Sequence, residues 1–190
     1  MAKISEQNLR VISSTPTLED TAKSAEKRFE YENYRNDYLK GTNGLGAQNA
    51  VSAFNELRTL IANSIPRIQA SAPALKIHVV SNDHNSKAIS LSSAGNDLHI
   101  VWKVQSTNCL QGAVLNVELW TNLPVSGFPL SAQDTKPAKT KTFSADVTEG
   151  HEAGWTHAGP DYLTDQHILS NIEAADYILN WWLENIVIKK

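Results

Sequence analysis

Four apolar runs between Leu75 and Trp120 constrain this chain more than any other feature: LKIHVV, KAISLS, LHIVWKV and AVLNVELW, separated by clusters of Asn, Asp, Ser and Gly. Short alternating runs divided by turn residues are the pattern of consecutive antiparallel strands. Successive strand side chains point to opposite faces, so Leu98, Ile100, Trp102 and Val104 share one face while His99, Val101 and Lys103 share the other. A sheet with one apolar face needs a cover. The last apolar segment supplies one, because Ile168, Ile172, Ala175, Leu179, Trp182 and Ile186 recur at helical spacing.

Upstream, Thr17 reads as an N-cap with Glu19 and Asp20 in the first turn, opening a helix to about Lys40. Its apolar positions Leu18, Ala22, Ala25 and Phe29 form a thin stripe, and Tyr31, Tyr34 and Tyr38 then take over one face. A glycine-rich break, GTNGLG at 41–46, precedes a second helix through Ala50, Val51, Phe54, Leu57, Leu60 and Ile61, which Pro66 is expected to end or kink. That glycine run has neither the lysine nor the preceding strand of a phosphate-binding motif, so it reads as an interhelical turn.

After Trp120 comes a proline-bearing loop. Lys139 to Thr148 alternates again as a fifth strand, Glu149 and Gly150 make a turn, and Glu152 to His157 forms a short sixth strand in which Gly154 favours a bulge. The closing helix starts at Thr164, or at Ser170, which with Glu173 forms a capping box.

The expected architecture is α+β. A single domain over 1–190 comprises a loose arm (1–16), a helical hairpin (17–72), a five- or six-stranded mainly antiparallel meander (75–157) and a long C-terminal helix (164–188) packed on the sheet. With 41% hydrophobic and 19% charged residues the chain has the composition of a folded protein. The formal net charge of −3 gives no global attraction to nucleic acid or anionic lipid. No window approaches the roughly 18 apolar residues of a membrane helix, and no signal-peptide core is present. Cys109 is the single cysteine, which excludes an intramolecular disulfide and a thiolate zinc site. A cytoplasmic protein without a cofactor is the expectation.

Chemistry-bearing residues concentrate in one place. Asp146, Glu149, His151, Glu152, His157 and Asp161 put two histidines and four carboxylates around the last hairpin. Imidazole with carboxylate suits metal binding or acid–base catalysis, and Asp146, His151, Glu152 and His157 are the candidate catalytic set. The spacing matches no ligand motif, and no metal is expected. SNDHNSK at 81–87 has the composition of a turn. Lys136, Lys139 and Lys141 read as solvated lysines. Trp181 and Trp182 diverge by about 100° on a helix, so one belongs to the core and the other to the rim.

Three functions follow from these features. The first is a non-catalytic interaction module, a subunit or inhibitor of a larger assembly, that meets a protein partner or a second copy through Tyr34, Tyr38 and Trp181. The second is a metal-dependent enzyme or metal-binding protein using His151, Glu152 and His157. The third is a small-ligand binder between the sheet and the C-terminal helix.

Overall fold

The computed structural model describes residues 16–41, 44–82, 87–104, 109–110, 112–121, 136–157 and 167–186. Two N-terminal helices, α1 (Leu18–Lys40) and α2 (Leu45–Ser71), lead through a short 3-10 turn into six strands. These are β1 (His78–Ser81), β2 (Ala88–Ser93), β3 (Asn96–Lys103), β4 (Val114–Thr121), β5 (Lys139–Val147) and β6 (Ala153–His157), followed by α3 (Asn171–Glu184). The strands form one antiparallel sheet in sequence order, each paired with its neighbours in the chain. The arrangement is α+β.

The alternation seen in the sequence places one row after another on the front face. Leu91 pairs with Leu98 and Leu98 with Leu119, while Ile89, Ile100 and Val117 form the next row. Trp102, Leu115, Phe143 and His157 form a third. All of these except His157 are buried.

The helices α2 and α3 close over this face. Phe54 of α2 stacks near Trp102, with ring centroids 6.4 Å apart, and Trp102 meets Trp155 edge to face at 5.3 Å. From α3, Ala174, Ala175, Ile178, Leu179 and Trp182 are buried. Trp182 is the core tryptophan of the adjacent pair, and Trp181 is only partly buried.

Some expectations need correction. Pro66 does not end α2, which continues to Ser71 with Pro66 exposed inside it. Of the two starts offered for the closing helix, Ser170 holds and Thr164 does not: the helix begins at Asn171, because Leu169 is held in a bridge to Trp155. Leu169 exchanges two backbone hydrogen bonds of 2.8 Å with Trp155, which adds a bridge to the outer edge of β6. The Ser170–Glu173 capping box then starts the helix, and Ile172 in its first turn is 62% exposed and adds nothing to the buried stripe.

Gly154 carries no bulge either, since the β5–β6 register runs without a break from Phe143–His157 to Val147–Ala153. Its small size serves a close approach: a Cβ there would lie 2.7 Å from the Ile168 side chain and 2.8 Å from the Leu169 carbonyl. The polar turn at 83–86, the proline loop at 122–135, Asp161 and the residues before Pro16 lie outside the described residues. Among the described residues, no helix is long and apolar enough to cross a membrane.

Candidate functional site

Asp146 sits on the back face of β5, and its nearest partner comes from a helix 111 residues earlier. Arg35 of α1 donates from Nε to Oδ1 at 2.8 Å and from Nη2 to Oδ2 at 2.7 Å, the bidentate geometry in which guanidinium and carboxylate fit best. The carboxylate also accepts the Val147 amide at 2.9 Å and the Thr156 hydroxyl at 3.0 Å. Burial pulls the Asp146 carboxyl upward. The Arg35 and Val147 hydrogen bonds, the Arg35 charge and the Thr156 hydroxyl outweigh it and hold the group below its usual range. A carboxylate bonded so completely is a structural anchor, with no lone pair arranged for a substrate.

The same helix makes three more contacts around that anchor. Tyr31 Oη donates to the Val147 carbonyl at 2.8 Å. Tyr34 stacks on His151, with centroids 4.2 Å apart and planes 22° from parallel, and also faces Tyr38 at 6.5 Å. Tyr38 is buried where the chain turns into α2, and burial, followed by the nearby Tyr34 and Asp146, pushes its hydroxyl up to about 12. Gly46 in the first turn of α2 lies so close to the end of α1 that a Cβ there would collide with the Tyr38 carbonyl. Tyr38 is buried, whereas Tyr34, stacked between His151 and Tyr38, is only partly buried.

The remaining members of the histidine–carboxylate cluster separate. His151 has a left-handed backbone (φ 62°) at the end of the β5–β6 turn, which its amide closes onto the Thr148 carbonyl at 2.9 Å. Its ring goes to α1. Glu152 is exposed on another side, lining a surface hollow of about 410 Å³ with Glu56, Ser170 and Asn171. His157 points to the front, where its ring lies 5.2 Å from Phe143 and 5.7 Å from Tyr177 of α3. These side chains end against different neighbours, and among the described residues no group of three His, Cys, Asp or Glu is placed to hold a metal ion.

Two further polar groupings were not evident from the sequence. On the back face, Ser90, His99 and Glu118 occupy one row across β2, β3 and β4, with Ser90 Oγ 2.8 Å from His99 Nδ1. Burial lowers the His99 pKa against the opposing influence of Asp97 and Glu118, which favours the neutral ring. Ser90 is 3% exposed, so this pair joins two strands and does not offer a nucleophile. On the front, Trp155 Nε1 donates to Asn171 Oδ1 at 2.8 Å, and Asn171 Nδ2 donates to Glu56 at 2.7 Å. That relay satisfies a buried indole and fixes α3 against α2.

The first part of α1 behaves differently from the rest of the molecule. Residues 18–30 are exposed throughout, with Leu18 at 88% and Phe29 at 68%. At about 100° per residue, Leu18, Ala22, Ala25 and Phe29 fall within a narrow stripe. The docked residues Tyr31, Tyr34 and Tyr38 lie about half a turn away from it. The stripe thus faces away from the body, and the fold cannot bury it without undocking the tyrosines.

Compared with known proteins, the chain matches no family, no curated protein and no solved structure.

Proposed function

We propose that this protein is a non-catalytic interaction module that offers the outward stripe of α1 to a helix of a partner protein. One observation carries the reading: α1 is latched to the sheet through Tyr31, Tyr34 and Arg35, while its first three turns, exposed all round, carry an apolar stripe on the side opposite the docked tyrosines. The spacing 18, 22, 25, 29 is the four-three-four pattern of a helix–helix seam. A stretch this short is marginal as an unsupported helix in water, so a covering partner would stabilise it.

The flanking charges specify what kind of helix fits. Glu19 and Glu26 lie along one side of the stripe and Arg28 along the other. A complementary partner carries an apolar seam with basic residues toward the glutamates and an acidic residue toward Arg28. Antiparallel pairing with a second copy would set glutamate against glutamate, which disfavours that arrangement.

The test uses a synthetic helical peptide with leucines at seam positions, lysines facing Glu19 and Glu26, and a glutamate facing Arg28. Hydrogen exchange of residues 18–30 should be fast in the free protein and slow markedly with the peptide, and Phe29→Glu should remove the effect. Light scattering on the free protein reports any self-association. If the peptide protects nothing, and the free protein is a monomer at all concentrations, the reading fails.

A further inference from the structure

The flank where α3 crosses the beginning of β5 holds two cations on a mostly apolar face. Lys139 pairs with Leu119 and Lys141 with Val117, so both side chains rise from the front of the sheet. Each ends against α3 on a neutral oxygen: Lys139 Nζ donates to Asn185 Oδ1, and Lys141 Nζ donates to Tyr177 Oη at 2.7 Å. The Lys141 ammonium is 5.1 Å from the Tyr177 ring centre. That is close to the ring-to-hydroxyl reach plus the hydrogen bond, so the ammonium lies beyond the hydroxyl and not over the ring face.

Neither lysine forms an ion pair among the described residues. The carboxylates of α3, Glu173, Asp176 and Glu184, are exposed and stay outside ion-pair distance of both. Lys141 is partly buried, and a lysine ammonium has three donors, of which Tyr177 takes one. A partly buried cation with no carboxylate within ion-pair distance attracts an anion more strongly than the same group in open water. Beside it stand aromatic surfaces: His157 and Phe143 pack on Tyr177, at 5.7 and 5.8 Å. Trp181 follows Tyr177 by one turn on the same side of α3 and is partly exposed.

We propose that this flank binds a small organic anion in which a phosphate is attached to a flat ring. The phosphate is held by Lys141 with Tyr177, and the ring lies on Trp181. The inference is independent of the α1 stripe, which lies on a different element.

Phenyl phosphate is the probe, with inorganic phosphate and phenol as comparators, followed by calorimetry and by the indole N–H resonance of Trp181. Phenyl phosphate should bind saturably and about threefold to tenfold tighter than inorganic phosphate, the difference due to the ring contact. Lys141→Met should weaken it about tenfold or more, as expected for loss of a charged hydrogen bond. Trp181→Leu should weaken phenyl phosphate severalfold and leave inorganic phosphate unchanged. If Lys141→Met does not fold, Tyr177→Phe, which removes only the hydroxyl, carries the same test with a smaller loss. Absence of saturable binding overturns the proposal, as does an affinity that folded Lys141→Met or Tyr177→Phe leaves unaltered.

Discussion

Replacing Arg35 by methionine isolates the latch between α1 and the sheet, because methionine keeps much of the stem and removes both hydrogen bonds to Asp146. The Asp146 side chain is 6% exposed, and without Arg35 it retains only the Val147 amide and the Thr156 hydroxyl. Breaking a fully buried pair costs about 3–5 kcal/mol. The Arg35 side chain is 28% exposed, so solvent screening reduces the figure to about 2 kcal/mol. For a chain of 190 residues, that lowers the melting temperature by about 4–8 °C at neutral pH.

The same structure fixes the pH dependence. The Asp146 carboxyl is held below its ordinary 3.8 in the folded protein, so its contribution is complete above the unfolded value and is lost as pH falls through the folded one. The gap between wild type and Arg35→Met should therefore be full at neutral pH and close in acid, below 3.8. Calorimetric or circular-dichroism melts across that range measure it, and an Asp146→Asn, Arg35→Met double variant should show the two losses to be strongly non-additive. A melting temperature unchanged by Arg35→Met at neutral pH would refute the latch, and a gap that persists undiminished in acid would refute its assignment to Asp146.

Leu179→Ala should lower stability by about 2–5 kcal/mol in thermal or urea unfolding, since Leu179 is 4% exposed in the shared core. Gly46→Ala should be among the most damaging single substitutions, because the added Cβ meets backbone and no flexible side-chain tip can yield; soluble yield and melting temperature read it. Elemental analysis after dialysis should find no stoichiometric zinc or manganese, and His157→Ala should leave metal content unchanged, because His151, Glu152 and His157 point to three different sides.

The sheet was legible because one covered face imposes strict alternation, and Leu98, Ile100 and Trp102 show it directly. The capping box at Ser170 was legible because both its partners are local. What sequence proximity could not reveal was direction. His151, Glu152 and His157 are close in the chain, yet they end against Tyr34 of α1, the hollow beside Glu56 and Asn171, and Tyr177 of α3. Conversely, Arg35 and Asp146 are distant in the chain and meet because α1 lies along the end of β5. Gly154 signalled something unusual, but a bulge and a close crossing leave the same mark in a sequence. Only the positions of Ile168 and Leu169 distinguish them. The lysines of β5 read as solvated because nothing local shows that α3 reaches them.

The sequential order of the six strands also bears on how the chain assembles during synthesis. Each strand pairs with one already made, so hairpins form as they emerge and α2 is present from the start to shield part of the front face. The second cover, α3, comes 14 residues after β6 ends. At typical translation rates of roughly 5–20 residues per second, the segment from the end of β6 to the end of α3 takes about 1–5 s to appear. During that interval the surfaces that Leu179 and Trp182 later cover are open to water, to chaperones and to neighbouring nascent chains.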